Sequence, residues 1–224
     1  EDVIVVSSNS AQTEATSIGH GMVSHTFMPQ IVQDPNNNTR VYLDCPGFSD
    51  NRGPEINIAN AINTRRVLLQ ARGVKAVFLA DYRALFVGRT NGIRNMETMC
   101  SQMFGGVDNL RTHQNSVLLG INRAPLDMTL SRVRTRCTQM RSSTMQILAD
   151  RLFLYDPLEQ GGAGFWSREQ FLATIERMPR ISQQVASDIF QTALTDSDKT
   201  ALQRIVEHQV GELRSALEQD DYPA

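Results

Sequence analysis

The chain has 224 residues, of which 41% are hydrophobic and 21% charged, so it can bury a core and has the composition of an ordinary globular protein. A net charge of −2 favours no nucleic-acid or anionic-membrane partner, and no apolar run approaches the length of a membrane span. Three scattered cysteines are too few for a disulfide framework, which favours a reducing, cytoplasmic compartment.

The beginning of the chain predicts a hairpin of two strands after a polar loop. Residues 1–6 fit either a strand or an irregular start. Thr26–Gln33 predicts an edge strand, because Pro29 removes one ladder donor. An Asp-Pro-Asn turn then leads to a second strand over Arg40–Asp44.

Apolar strand segments then alternate with amphipathic helical segments. Strands are predicted at 74–80, 116–121 and 152–155, and helices at 55–72, 95–104, 129–151, 167–177, 182–194 and 196–219. The alternation predicts an α/β fold with a doubly wound, mostly parallel sheet and an antiparallel edge hairpin. We assign residues 1–158 to this domain and 159–224 to a C-terminal helical extension packed on it.

Asp44 and Gly47 form the most informative motif, in the run Asp-Cys-Pro-Gly-Phe-Ser-Asp. An aspartate at the carboxyl end of a buried strand lies where α/β proteins bind ligands. A glycine three residues later lets a backbone N–H approach a ligand closely, because it has no Cβ. The alternative is an ordinary turn without a role in ligand binding, for which Asp-x-Pro-Gly is also suitable.

Two further segments fit the same ligand edge. Thr26 precedes the hairpin and could place its hydroxyl on Mg²⁺, although it could also be an ordinary strand threonine. Asn122 follows a buried strand and could brace the binding loops, while Arg123 could lie along a purine ring. Pro125 stands where a guanine-reading aspartate would be expected, and Asp127 could substitute for it.

Three segments together resemble a P-loop GTPase domain of the translation-factor class, and in particular the septin and AIG1-type group. They are Ser24-His-Thr26, the Asp44–Gly47 motif and Asn122-Arg-Ala-Pro. The resemblance implies that Asp44 binds Mg²⁺ through water, that Thr26 ligates it, and that Gly47 contacts the γ-phosphate. It places Asn122 in the base site of GTP or GDP, with the base identity left open. It also implies dimerisation across the nucleotide face or another protein partner.

The chain departs from that pattern in two ways. No G-x-x-x-x-G-K-[ST] phosphate loop occurs, and Phe48 replaces the glutamine that orients the attacking water. We therefore expect a GTPase-like switch that regulates assembly or recruitment, with slow or partner-dependent hydrolysis, as a fragment of a longer protein that carries the first strand and phosphate loop upstream. The alternative is a pseudo-GTPase that serves as a non-enzymatic interaction module.

Overall fold

The computed structural model describes residues 2–5, 29–34, 37–45, 47, 53–86, 91–156, 162 and 164–219. The strands within them are β1 (Asp2–Val5), β2 (Gln30–Gln33), β3 (Arg40–Asp44), β4 (Gly73–Asp81), β5 (Val117–Asn122), β6 (Leu152–Tyr155), β7 (Phe165–Trp166) and β8 (Ile181–Ser182). The helices are α1 (Pro54–Gln70), α2 (Tyr82–Phe86), α3 (Asn91–Met103), α4 (Val107–Thr112), α5 (Leu130–Gln139), α6 (Ser143–Ala149), α7 (Arg168–Arg177), α8 (Gln183–Ile189) and α9 (Asp196–Gln219), with a short 3-10 helix over Gln114–Ser116.

The strands form one sheet in the order β2-β3-β1-β4-β5-β6-β7, with β8 paired to β4. Neighbours from β3 to β7 are parallel, whereas β2 runs antiparallel to β3 and β8 antiparallel to β4. The α/β class and the antiparallel hairpin with β3 are thus confirmed. Pro29 directly precedes β2, which lies at the end of this strand order.

The centre of the sheet differs from the sequence-based expectation. β1 lies between β3 and β4, with Val5 paired to Leu43 on one side and to Ala76 on the other. The expectation that the chain begins too late to supply the first strand is therefore wrong, because residues 2–5 hydrogen-bond to both neighbours in that place. The segment 6–28, which follows β1, lies outside the described residues.

Alternate strand residues pack into two separate hydrophobic clusters, as the two-residue period of a strand requires. The larger cluster joins one face of the sheet to α1, α3, α5, α6 and α8, and includes Leu43, Phe78 and Leu119. The smaller cluster joins residues of the other parity to α7, and includes Val77, Leu118 and Phe153. Tyr42 packs on the smaller cluster and Cys45 on the larger one, so these parities also extend along β3.

A polar clamp fixes the hairpin of β2 and β3. The buried Asp34 carboxylate accepts from Arg40 Nη1 at 3.3 Å and from Tyr42 Oη at 2.8 Å. Arg40 also donates through Nη2 to Glu176 Oε1 of α7 at 3.0 Å. The clamp therefore ties the turn, the edge of the sheet and α7 together.

Lys75 connects β4 to the C-terminal end of α7. Its side chain is buried, and its Nζ donates to the carbonyl oxygens of Ile175 at 2.8 Å and Glu176 at 3.1 Å. The last carbonyls of a helix have no partner within the helix, so a cation at this end satisfies them and complements the helix dipole.

The predicted long helix over 129–151 is two helices, α5 and α6. The chain breaks between them at Arg141, whose φ of 46° lies in the left-handed region, and Ser142 then caps α6 by accepting from Met145 N at 3.2 Å. Similarly, the helix predicted over 182–194 ends as α8 at Ile189. Thr195 caps the beginning of α9, because its Oγ1 accepts from Asp198 N at 3.2 Å.

The C-terminal extension packs on the domain only in part. Ile175 of α7 and Ala186 of α8 are fully buried, and α9 begins against α1, where Asp198 is buried. Residues 202–218 of α9, by contrast, are all exposed. Across the described residues, no helix combines the length and the apolar character that crossing a bilayer requires.

Candidate functional site

Polar residues end three of the sheet strands at their carboxyl edge. Asp44 ends β3, Asp81 ends β4 and Asn122 ends β5. Asp81 and Asn122 are direct partners across β4 and β5, and Asn122 is in turn opposite Tyr155 of β6. Ligands of open α/β sheets bind at this edge near the point where the strand order reverses, which here is at β1. The edge is therefore the candidate site.

Asp44 has an unfavourable environment for a charged group. Its side chain belongs to the sheet face of Tyr42, and the residue is only 9% exposed. Burial raises the pKa of the Asp44 carboxyl to about 6, and no described cation or hydrogen-bond donor offsets that desolvation. A buried carboxylate without a partner destabilises a fold, and such groups are concentrated in functional sites.

Asn122 leaves a second polar group unpaired at the same edge. Its carboxamide oxygen Oδ1 is buried and accepts no hydrogen bond. A buried acceptor without a donor costs about 1–3 kcal/mol. Together with Asp44, it gives this edge two polar side chains whose bonding capacity is not used within the described residues.

Asp81 and Arg123 form an ion pair beside Asn122. Arg123 Nη1 lies 3.2 Å from Asp81 Oδ2, while Asp81 Oδ1 accepts from Arg83 N at 2.7 Å. Arg123 has a φ of 55°, which a residue with a Cβ adopts only at a cost in energy. The Arg123 side chain, which was predicted to lie along a purine ring, is exposed at the edge of the sheet, and its guanidinium contacts Asp81.

Asp127 lies further along the same loop. Its carboxylate is 83% exposed and 4.0 Å from Arg132 Nη1, which makes a weak surface ion pair. The loop turns through a bond from Met128 N to Pro125 O at 2.9 Å. The structure therefore places Asp127 on the surface after Asn122, accessible to a ligand but without contact to Asn122 in the bonds described here.

The site has two separated ends. Asp44 and Asn122 are three strand spacings and four residues apart in the register of the sheet, which corresponds to roughly 20 Å. A ligand that contacts both must be elongated, as a nucleoside triphosphate is. A Cβ on Gly47 would meet nothing within 4 Å, so packing does not require glycine there, and the space beside its backbone is open.

The fit to Mg²⁺ and phosphate is partial. Among the described residues, no group of three His, Cys, Asp or Glu side chains could hold a metal ion. Asp44 fits a role through water, since its unpaired carboxylate is a hard oxygen ligand of the kind that Mg²⁺ prefers. Thr26, the second predicted ligand, lies outside the described residues, as do Ser24, His25 and Phe48.

Asp81 is the site residue that the sequence analysis did not identify. The sequence pattern at Asp81 is the same as at Asp44, because in both cases an aspartate directly follows the apolar residues of a strand. Its pairing with Arg123 depends on the parallel register of β4 and β5, which the sequence does not show.

Comparisons with known proteins leave the family undefined. No model of a known protein family matches the chain, and no curated protein is significantly similar to it.

Proposed function

We propose that the chain is a GTPase-like nucleotide-binding switch domain with a doubly wound sheet, acting in the cytoplasm to regulate assembly or partner recruitment. The observation that carries this proposal is the pair of unused polar groups, the Asp44 carboxylate and the Asn122 Oδ1, at the carboxyl edge on either side of β1. Ligand binding would compensate the desolvation of the Asp44 carboxylate and the missing hydrogen bond of Asn122 Oδ1. GTP and ATP are both open as the nucleotide.

Each predicted residue has a role in this proposal. Asp44 would hold Mg²⁺ through water, with Thr26 as a direct ligand, and the Gly47 N–H would meet the γ-phosphate. Asn122, Arg123 and Asp127 would form the base end of the site. Mg²⁺ supplies charge neutralisation of the phosphates when it is bound. Hydrolysis would be slow or dependent on a partner, because Phe48 cannot orient a water molecule.

Nucleotide affinity should be weak. The sequence holds no G-x-x-x-x-G-K-[ST], the motif whose lysine and backbone N–H groups hold the β-phosphate in P-loop proteins. The remaining contacts are those of Asp44, Gly47 and the loop after β5. We therefore expect this polypeptide to bind nucleotides with dissociation constants above the micromolar range.

Titration with fluorescent GTP and ATP analogues in millimolar MgCl2, followed by anisotropy, tests the proposal. Asn122→Ala should weaken binding by about fivefold or more, the value of one hydrogen bond. Asp44→Ala should remove the dependence on Mg²⁺. Asp150→Asn, on the surface at the end of α6, is the matched control for charge and should bind as the wild type does. Absence of binding at millimolar nucleotide, or binding unchanged in both site variants, would rule the switch out.

The exposed part of α9 favours a second candidate, a non-enzymatic interaction module. Six large apolar side chains among its exposed residues include Leu213 at 62% and Leu217 at 63% exposure. In proteins most of the stability of a helix comes from packing of an apolar face rather than from helix propensity. Val206, Val210, Leu213 and Leu217 follow the four-three-four spacing of a coiled-coil seam.

A second copy of the chain is the occupant that the charges favour. Glu207 and Arg214 each follow a seam residue and lie on the same flank of α9. In an antiparallel pair related by a two-fold axis, Val206 faces Leu217 of the second copy. The same flanks then meet, so Glu207 of each copy lies near Arg214 of the other and two opposite-charge pairs form. A parallel pair does not bring these charges together.

Sedimentation equilibrium separates the two candidates. Self-pairing through α9 predicts a dimer that Leu213→Glu weakens by at least about tenfold, because a buried leucine becomes charged. Glu207→Arg or Arg214→Glu alone should weaken it, and the double exchange should restore it. Arg204→Glu, on the opposite side of α9, is the matched control. A monomeric wild type, or a double exchange that does not restore pairing, would contradict the module and leave the nucleotide proposal untouched.

A further inference from the structure

A cavity of about 160 Å³ lies between α1, α3, the residues that follow β3 and the middle of β4. Its apolar lining is formed by Leu68 of α1, Phe78 of β4 and the two methionines Met99 and Met103 of α3. A protein cavity near this size accepts a benzene-sized molecule when its lining is apolar. The cavity is therefore large enough for one small ring or a short branched chain.

The polar lining of the cavity is mostly engaged. Arg65 Nε donates to Phe190 O at 2.9 Å, and Asn57 Nδ2 donates to Asp198 Oδ1 at 3.2 Å. Burial raises the pKa of the Cys45 thiol to about 12, in spite of its hydrogen bond with Thr64, so Cys45 is a neutral part of the wall.

Asn60 is the exception. The residue is only 6% exposed, it lines the cavity, and its Nδ2 has no hydrogen-bond partner among the residues that the structure describes. An unpaired buried donor costs about 1–3 kcal/mol, and an acceptor brought by a ligand would recover that cost. Asn60 therefore favours a ligand that is apolar except for one hydrogen-bond acceptor.

We infer that this cavity is a binding site for a small neutral ligand with a ring-sized apolar body and one acceptor oxygen, which accepts a hydrogen bond from Asn60 Nδ2. A neutral ligand fits because Arg65, the one charged residue among the described lining, already donates to the backbone, and burial of a further charge would be costly. The inference goes beyond the nucleotide proposal, because it assigns a different ligand to the cavity. The cavity adjoins the proposed nucleotide site at Gly47, which also lines it, but Cys45 packs on the face of the sheet opposite the Asp44 side chain.

Acetophenone and α-methylstyrene form a matched pair of probes, because they differ in a carbonyl oxygen against a methylene group. With methionine methyl groups labelled with ¹³C, both probes should shift the NMR signals of Met99 and Met103 but not of Met145, which does not line the cavity. Acetophenone should bind about fivefold to tenfold more tightly, the value of one hydrogen bond. Equal affinities, or no shift of Met99 and Met103 at the solubility limit, would overturn the inference.

Two variants locate the binding further. Asn60→Leu should remove the preference for acetophenone and leave α-methylstyrene binding within about twofold of the wild type. Ala61→Leu should fill the cavity and abolish both, whereas Ala173→Leu on the exposed surface of α7 should change neither. If Ala61→Leu does not fold, the affinity ratio in Asn60→Leu decides alone. A preference for acetophenone that persists in Asn60→Leu would exclude Asn60 as the donor.

Discussion

The aromatic ring of Phe153 lies against the backbone of Gly120, its direct partner on the neighbouring strand. A Cβ at Gly120 would overlap with Phe153 Cζ and lie 2.6 Å from Leu79 Cδ2 on the other side. The ring has little freedom to move, because it stacks on Trp166 with centroids 4.9 Å apart and also packs on Phe171. The sheet interior at this point therefore accepts no side chain.

Gly120→Ala should destabilise the fold by about 1–3 kcal/mol, the usual cost of overpacking a core. Gly211→Ala is the matched control, since a Cβ there would meet nothing within 4 Å in the exposed α9. It should be neutral or stabilising by up to about 1 kcal/mol, because alanine favours a helix. Urea denaturation measures both, and a Gly120→Ala variant as stable as the wild type would show that Phe153 and Leu79 can move aside.

Lys75→Met should destabilise the protein by about 1–3 kcal/mol. Methionine keeps the apolar packing, but it leaves the carbonyl oxygens of Ile175 and Glu176 without the ammonium group that they now accept from. Lys199→Met, at an exposed lysine of α9, is the control and should stay within about 0.5 kcal/mol. Thermal unfolding at equal ionic strength checks the difference, and equal losses in both variants would argue against the contact with α7.

Asp44→Asn should change how stability depends on pH. The Asp44 carboxyl has an ordinary pKa of 3.8 and a folded-state pKa of about 6, so the folded state binds more protons between these values. Stability contributed at this site therefore falls as pH rises from 3.8 to about 6, by roughly 1–2 kcal/mol, because solvent screens part of the effect at this partly solvated carboxyl. At pH 7 the variant should be more stable than the wild type, and the difference should vanish near pH 3.8 and below.

The free energy of unfolding in urea, measured across this pH range for both proteins, gives the difference directly. Asp150→Asn makes the same change in net charge at the protein surface and serves as the control. A difference between wild type and Asp44→Asn that grows toward acid would have the wrong sign and would contradict the desolvated carboxylate.

Arg123→Gly should separate backbone strain from ligand contact. Glycine adopts a φ of 55° without cost but also loses more entropy on folding, so stability should change by less than about 1 kcal/mol. Arg141→Gly, at a φ of 46° between α5 and α6, is the matched control. The two variants should be similarly stable, while Arg123→Gly alone should weaken nucleotide binding in the anisotropy titration. Equal nucleotide binding by both would remove Arg123 from the site.

The sheet was the most predictable part of the fold. β4 and β5 are buried on both faces and almost entirely apolar, with Lys75 as the charged exception, and such runs are distinctive in sequence. The sequence does not decide between a strand and an irregular start for β1, because four apolar residues near the start show no period by themselves. The place of β1 in the sheet depends on pairing with β3 and β4. The break after α5 was missed because Arg141 enters the left-handed region without the glycine or proline that normally marks such a break.

The candidate site was predicted only where one strand end carried the signal. Asp44, Gly47 and Asn122 follow strands directly, so their position at the edge could be inferred. The ion pair of Asp81 with Arg123 depends on register between strands, and the cavity depends on packing. Asn60 and Met103 are far apart in the sequence and meet only when α1 and α3 cover the same face.

The hairpin clamp also limits which insertions this protein can tolerate. Asp44 and Cys45 are consecutive, yet one belongs to the face of Tyr42 and the other packs into the opposite hydrophobic cluster. A single residue inserted between Arg40 and Asp44 would exchange these faces and place a carboxylate in the apolar core. An insertion at Asn38, in the turn between Asp34 and Arg40, would leave the parity of β3 unchanged. Length variation in the hairpin should therefore be accepted in its loop and rejected in the strand after Arg40.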